Sequence, residues 1–393
     1  MILSKKKIKV AVVVNNRANY ARIKSFLVAA SKSKKIILRI ILGSSCIMEK
    51  FGNIEKIIKR DNLKVFKKIY TVVEGDKPIT MAKSTALEIN ELSNIFDNSR
   101  PDLVFAIADR FETLSIAIAA SYMNIPLVHT QGGEITGSID ESVRHAVSKL
   151  ANIHFPANKL AKNNLIKMGE DPKKIFNVGC PSIDLAKSIK NKKVNLKSFI
   201  KKYRFSSLQR INYNNIKDYI IVVQHPVTTE YEKTQSQIKE TIKAISKLKY
   251  NVIWLWPNVD SGSDIISKEL RISRETNLLN STIFGKNCSP EDFLILLNNA
   301  KCIVGNSSVG IRESSYLGTP CVNIGNRQLG RLKGKNVKNV THNCSKIINA
   351  ITAQYNHGKY KKVNIYGNGE TGKKIVNIIT KINLTNTQKN LKF

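Results

Sequence analysis

The string Gly305-Asn306-Ser307-Ser308-Val309-Gly310-Ile311-Arg312-Glu313 follows a short apolar run, Cys302-Ile303-Val304, and sets hydroxyls about one helical turn before a carboxylate. Serine hydroxyls and the free backbone N–H groups of a starting helix suit an anion such as a diphosphate. Glu313 would then accept hydrogen bonds from ribose hydroxyls. The plain alternative is that Ser307 or Ser308 only caps the helix.

A second group of chemistry-bearing residues is Ala108-Asp109-Arg110-Phe111-Glu112. A carboxylate and a guanidinium side by side can orient each other, or act as acid/base and phosphate clamp; a surface salt bridge is the ordinary alternative. The third is Thr130-Gln131-Gly132-Gly133-Glu134, followed by Ser138-Ile139-Asp140-Glu141-Ser142-Val143-Arg144-His145 and Lys149. Its glycines permit close approach of backbone to a ligand. On a helix, Glu141, His145 and Lys149 share one face with Arg144 beside them, which describes either a site wall or solvated charge.

Gln224-His225-Pro226 and Trp256-Pro257-Asn258-Val259-Asp260 each close an apolar run. A histidine there could titrate near neutrality, donate to a phosphate, or be structural. Arg17, Arg327 and Arg331 are candidate partners for phosphate or carboxylate. There is no Walker A loop, no G-x-G-x-x-G after the first strand and no H-E-x-x-H, so neither a metal site nor a cofactor is expected.

The elements that must position these residues are legible as short apolar runs, each followed by a helical pattern, the signature of a parallel sheet with crossover helices. The runs are Lys9 to Val14, Ile36 to Leu42, Leu103 to Ala108, Pro126 to Thr130 and His154 to Pro156, then Tyr219 to Val223, Asn251 to Trp256, Ser281 to Phe284, Cys302 to Val304 and Cys321 to Ile324. Two sets imply an α/β chain with two sheets, the first in residues 1–186 and the second in 219–383. A polar stretch, 187–218, with little apolar periodicity, reads as the junction. A helix over about Thr371 to Ile382 precedes a polar tail, Leu384 to Phe393, expected to be mobile. Ligands of open parallel sheets sit at the carboxyl ends of the strands, so the natural site is a cleft between the two domains.

Composition narrows the class. With 393 residues and 42% apolar content, the chain can bury more than one core. The apolar run Ile8 to Val14 is too short and interrupted for a signal peptide, and nothing approaches a membrane span of ~20 residues, so the cytoplasm is the expected compartment and no membrane partner is expected. The formal charge of +35 invites a nucleic-acid reading, but the lysines are dispersed and no recognition motif accompanies them. No nucleic-acid partner is expected, although the field favours anionic ligands. The six cysteines lie far apart without C-x-x-C pairs and read as reduced structural thiols.

Taken in order, Asn16-Arg17-Ala18-Asn19-Tyr20, Asp109-Arg110-Phe111-Glu112, Gly132-Gly133-Glu134, Ile139 to His145, His225-Pro226, Pro257-Asn258, Gly305 to Glu313 and Arg327-Gln328 to Gly330-Arg331 resemble the hydrolysing UDP-N-acetylglucosamine 2-epimerases of sialic-acid and related nonulosonic-acid pathways. The resemblance runs from about Lys9 to Val340. It implies a glycosyltransferase-B-type fold, two Rossmann-like domains with a nucleotide-diphosphate sugar in the cleft, and a homo-oligomer, dimer or tetramer. By family analogy Arg17, Arg110, His225, Asn258, Ser307, Ser308, Gly310, Glu313 and Arg327 belong to the nucleotide, with Gln131, Arg144 and His145 also on the binding surface. Asp109, Glu134, Asp140 and Glu141 would lie near the sugar, and with His225 form the catalytic set. The implied reaction is UDP-N-acetylglucosamine plus water to N-acetylmannosamine plus UDP, by elimination of UDP and hydration of a glycal.

Two positions depart from the family pattern. Many relatives carry Gly at Ala108, a change expected to tighten the strand end. Some carry a carboxylate at Gln131, where an amide cannot be a general base; the duty then falls to Asp109, Glu134, Asp140 or Glu141. The form Thr130-Gln131-Gly132-Gly133-Glu134 is similar to epimerases acting on 2,4-diacetamido-2,4,6-trideoxyhexoses, with UDP or GDP as the nucleotide. A glycosyltransferase and a catalytically silent nucleotide-sugar binder remain alternatives on the same fold.

Overall fold

The computed structural model describes residues 7–48, 54–75, 77–207, 212–213, 216–257, 260–280, 282–286, 288–383 and 388–389. The chain first runs β1 (Ile8–Val14), α1 (Arg17–Ser31), β2 (Ile36–Leu42), α2 (Ile54–Arg60), β3 (Val65–Lys68), α3 (Pro78–Ser99), β4 (Leu103–Ile107), α4 (Phe111–Tyr122), β5 (Leu127–Thr130), α5 (Asp140–Leu150), β6 (Ile153–Phe155) and α6 (Lys159–Lys167). Helices α7 (Pro181–Ile189) and α8 (Leu196–Tyr203) follow. Then come β7 (Ile220–Val223), α9 (Thr234–Ser246), β8 (Val252–Leu255), α10 (Ser263–Glu275), β9 (Thr282–Gly285), α11 (Pro290–Asn299), β10 (Cys302–Gly305), α12 (Arg312–Leu317), β11 (Cys321–Ile324), β12 (Val337–Val340), α13 (Cys344–His357) and α14 (Thr371–Ile379).

Two parallel six-stranded sheets result, ordered β3-β2-β1-β4-β5-β6 and β12-β11-β10-β7-β8-β9. Each is the doubly wound order, whose strand sequence reverses at the β1/β4 and β7/β10 pairs. The carboxyl ends at those reversals carry Arg17, Asp109, His225 and Ser307, so the topology itself collects the candidate residues. The inner strands read Val/Ile-rich because helices cover both faces of each sheet. The edge strands β3 and β12, with sequences VFKK and VKNV, are half exposed. These two edge strands carry lysines and lack the buried apolar run by which the edge strands β6 and β9 are legible.

The junction expected at 187–218 differs from what is observed. Helix α8 lies inside it, its Leu196, Phe199 and Ile200 buried with Phe205 in the core under the second sheet. Three apolar residues at helical spacing suffice, while Lys202 on the polar side pairs with Asp292 at 2.6 Å. Helix α7 joins the same core. In the other direction, Ile375 and Ile379 of α14 pack into the core of the first sheet beside α1. The chain thus crosses between the two bodies again after β12. Only residues 388 and 389 of the expected polar tail are among those described. All six cysteines are buried and unpaired, and among the described residues no helix is long and apolar enough to cross a membrane.

The second crossing is anchored at the start of α14, where both carboxylate oxygens of Asp184 on α7 accept from Thr371 N at 3.0 Å and Gly372 N at 2.8 Å. A carboxylate there satisfies orphan helix donors and meets the positive end of the helix dipole. Asp184→Ala is expected to cost about 1–2 kcal/mol, read as a lower urea midpoint with an unchanged slope; an unchanged midpoint would show that the cap does not hold α14.

Candidate active site

Strands β4 and β5 are neighbours, and both leave the sheet through non-glycine residues in the left-handed region: Ala108 at φ 62° and Gln131 at φ 65°. Such a conformation costs roughly 1–2 kcal/mol at each position. At Ala108 a glycine would relax it, so the alanine adds strain at this strand end. The bends bring Asp109 and Glu134 to one place. Both are buried, and both are surrounded by arginines.

Asp109 Oδ2 accepts from Arg144 Nη2 at 2.7 Å and Arg331 Nη2 at 2.9 Å, while Arg22 faces Oδ1 at 3.7 Å. Glu134 Oε2 accepts from Arg312 Nη2, and Arg331 Nε lies 3.2 Å away. Arg312 Nη1 donates to Gln131 Oε1. Arg144 also donates to the Glu134 carbonyl at 2.7 Å and to Glu141 at 2.7 Å. Since Arg312 and Arg331 come from the second half of the chain, the cluster spans the cleft. Burial alone would raise the Asp109 carboxyl, but Arg144, Arg331 and Arg22 overcome it and hold it well below the usual range. Glu134 is held down in the same way, burial being outweighed by Arg312, Arg331 and Arg144. Burial, opposed by Glu134, brings Arg331 down to about 10, so it stays a cation at neutral pH.

Asp140, at the start of α5, is different. Its nearest cation is Arg327 at 3.9 Å, about a fifth of its side chain is exposed, and burial together with the Asp109 charge raises its proton affinity. Glu141 is taken up by its own helix start: it accepts from Thr136 N at 2.6 Å, from Arg144 and from His145 at 2.7 Å. Among the candidate carboxylates, Asp140 is therefore the one whose proton affinity is raised without a close guanidinium.

Next to this cluster a cavity of about 120 Å³ opens between the sheets, lined by Arg17, Ala18, Ala21, Arg22, Val223, His225, Leu255, Trp256, Cys288, Pro290, Phe293, Ser307, Ser308, Val309 and Glu313. Its apolar wall suits a flat base, and Glu313 Oε2 is buried with no partner among the described residues, an acceptor fit for a diol. Neither serine is a simple helix cap. Ser307 makes no capping bond, and Ser308 Oγ accepts from Arg22. The segment forms a 3-10 turn, Ser308–Gly310, before the short α12, with Gly310 N and Ile311 N already donating to Ser307 O and Ser308 O. The expected fan of free helix N–H groups is thus partly consumed by the turn. Gly305, at φ 124°, is where the chain must turn: a Cβ would lie 2.1 Å from the Val223 carbonyl.

Arg110 and Asp109 do not pair with each other; Arg110 binds Glu112 at 3.2 Å and Asp260 at 2.8 Å and is buried, so it is no surface bridge. Arg327 donates to the Asn306 carbonyl at 3.2 Å. The pair Asn306 and His225 is locked through the His225 backbone at 2.8 Å in both directions. Burial, then the Arg327 charge, pushes the His225 imidazole down to about 3, which disfavours the first of its three readings, titration near neutrality, and leaves a neutral ring beside the cavity. Gly132 and Gly133 serve packing rather than ligand approach: a Cβ would meet Ser148 Oγ at 2.7 Å and the Ala161 carbonyl at 2.2 Å. Gly310 packs on Cys321 Sγ in the same way. Asn258 lies outside the described residues.

Arg22 and Arg312 join the expected Arg331 in the cluster, where neither was expected. Arg22 had a signal, since Arg17, Ala18, Ala21 and Arg22 share one face of α1, small residues letting the cavity in. Arg312 had none, because its neighbour Glu313 points to the other side of the segment. Among the described residues no group of His, Cys, Asp and Glu has a metal-binding arrangement.

A doubly wound pair of sheets with a partly apolar cavity between them, beside an arginine-rich carboxylate cluster, defines a two-domain α/β fold of the glycosyltransferase-B type. The family model for UDP-N-acetylglucosamine 2-epimerase matches residues 29–380, and the chain belongs to that family. It is 32% identical over 331 residues to the hydrolysing GDP/UDP-N,N'-diacetylbacillosamine 2-epimerase of Campylobacter jejuni, covering 84% of this chain and 83% of that one. It is 31% identical over 376 residues to the hydrolysing UDP-N,N'-diacetylbacillosamine 2-epimerase of Legionella pneumophila, covering 96% of each. The crystal structure of Methanocaldococcus jannaschii UDP-GlcNAc 2-epimerase with UDP-GlcNAc and UDP superposes with a TM-score of 0.79 at 20% identity, over 95% of this chain and 99% of that one.

The cluster has a measurable acid signature. Asp109 and Glu134 are depressed in the folded state, so the stability they contribute is present above the ordinary carboxylate range and is lost as pH falls through it toward their depressed values. Wild type is expected to lose stability steadily below about pH 5, and Asp109→Asn to flatten that limb in urea titrations across pH. An equally steep limb in the variant would contradict the reading of Asp109 as the ionised anchor.

Proposed function

We propose that this chain is a hydrolysing 2-epimerase of a UDP-linked 2-acetamido sugar, taking UDP-N-acetylglucosamine and water to N-acetylmannosamine and UDP. The observation that carries the reading is Arg22, whose guanidinium binds Ser308 in the cavity wall and faces Asp109 in the carboxylate cluster. The place of a diphosphate and the carboxylate cluster beside Asp140 are thereby adjacent. The base and ribose occupy the cavity, with Glu313 accepting from the ribose diol, and the diphosphate reaches toward Arg22, Arg312 and Arg331. A carboxylate takes the proton from C2 while the C1–O bond breaks and its electron pair leaves with UDP. Arginine charge stabilises the leaving diphosphate. The resulting glycal then takes a proton on the opposite face of C2 and a hydroxide at C1, releasing the free sugar with C2 inverted.

Asp140 is the carboxylate best suited to proton transfer, since its raised proton affinity makes it a stronger base than the arginine-bound Asp109 and Glu134. A raised folded value means that it is ionised only at higher pH than an ordinary aspartate. The acid limb of kcat is therefore expected to lie above about pH 4, and Asp140→Asn to lower kcat by about a hundredfold or more with UDP affinity within a few-fold of wild type. Unchanged turnover in that variant would remove Asp140 from the chemical step.

A second reading is favoured by Gln131, whose buried Nε2 has no partner among the described residues. An amide donor beside the sugar site suits an additional acetamido oxygen, as on a 2,4-diacetamido-2,4,6-trideoxyhexose, the sugar type in the names of the Campylobacter and Legionella relatives. Proton NMR of the protein incubated separately with UDP-N-acetylglucosamine and with the UDP-2,4-diacetamido sugar, without an acceptor, decides between them. Free 2-inverted sugar from the first supports the leading substrate, and from the second alone the alternative. Turnover only after an acceptor is added would overturn both in favour of a glycosyltransferase.

A further inference from the structure

We propose that Arg312 is a positioning residue that ties the placement of the Glu134 carboxylate to the seating of the nucleotide. The inference rests on the nucleotide-sugar reading above and goes beyond it by naming how the two halves communicate. Arg312 opens α12, next in sequence to Glu313 and directly after the Ser308–Gly310 turn, so it moves with the segment that lines the cavity. Its side chain, however, runs the other way. It is fully buried and reaches across the cleft to Glu134 and to the Gln131 amide oxygen. Below it lie Cys180 Sγ at 3.7 Å and the Tyr366 ring, 5.5 Å from the guanidinium to the centroid. Packed this closely, the guanidinium has little room to swing independently of its helix.

The same segment reaches the other carboxylate by a second path, since Ser308 holds Arg22 and Arg22 faces Asp109. A nucleotide that settles against Ser307, Ser308 and Glu313 therefore shifts two guanidiniums that touch the two buried carboxylates. Of the two links, the one through Arg312 is direct and two-pronged. It fixes the carboxylate and the Gln131 side chain together, at a residue whose backbone already sits in the left-handed region. The charged and polar groups facing Glu134 are Arg312 from α12, Arg331 from the loop after β11, Arg144 from α5, the like charge of Asp109 after β4, the Tyr366 hydroxyl before α14 and the Asn158 amide at 3.5 Å. Arg312 is the one attached to the nucleotide segment.

The test uses full-length protein labelled with carbon-13 at glutamate carboxyls, with the Glu134 signal identified by its loss in E134Q. On adding UDP, whose binding is followed by calorimetry in the same samples, the Glu134 signal of the wild type is expected to shift. In R312Q it is expected to stay in place even at UDP concentrations that calorimetry shows to saturate the variant. Without nucleotide, removing the guanidinium should move the Glu134 titration upward by about one unit or more, with a smaller move in R312K, which also serves as the comparison if R312Q does not fold. UDP binding with a Glu134 signal that ignores it, or that responds equally in wild type and R312Q, would overturn the coupling. Absence of UDP binding by the wild type would instead overturn the nucleotide reading, and the coupling with it.

Discussion

Asp109 and Glu134 are almost wholly removed from water, and an unpaired carboxylate in such a place would cost several kcal/mol. They are tolerable because Arg144, Arg312 and Arg331 surround them with charge-assisted hydrogen bonds. Two of those arginines belong to the second sheet's side of the cleft. Both guanidiniums on the Glu134 carboxylate come from the other half, so the site and the relative position of the sheets depend on the same interaction.

That arrangement also explains why the cluster suits a diphosphate. The guanidiniums of Arg22, Arg144, Arg312 and Arg331 outnumber the carboxylates of Asp109, Glu134 and Glu141, leaving positive charge in a dry place where it acts strongly. Asp140 stands at the edge of this charge, bound to no close guanidinium, and so keeps a proton affinity that chemistry can use. The arginine-bound carboxylates are held ionised, while Asp140 is the carboxylate whose proton affinity is raised by burial and the Asp109 charge. Even the local strain follows this division: Ala108 and Gln131 bend out of adjacent strands in a conformation L-residues avoid, held there by the packing around them.

Much of this was legible in the residues. Inner strands with helices on both faces are largely apolar, so the runs at Leu103 to Ala108 or Tyr219 to Val223 marked them directly, and the doubly wound rule then pointed to the residues after each run. The edge strands Val65–Lys68 and Val337–Val340 lack that constraint and left no mark. Helix α8 was hidden for a related reason, its buried stripe being thin and its lysines numerous. At the site, residue types announced Asp109, Glu134 and the Ser307 to Glu313 segment, but not who pairs with whom. Arg110 looks in sequence like the partner of Asp109, while the fold gives that place to Arg144 and Arg331. Such pairings join residues far apart along the chain, and local spacing carries no information about them.

The central claim is that UDP leaves by carbon–oxygen cleavage at C1 with loss of the C2 proton. It is tested most directly by running the reaction in deuterium oxide enriched in oxygen-18 and examining both products by NMR and mass spectrometry. The account predicts one deuterium at C2 of the released sugar, oxygen-18 at its C1, and UDP without the label. Oxygen-18 in the UDP, or a product that keeps its original hydrogen at C2, would contradict it.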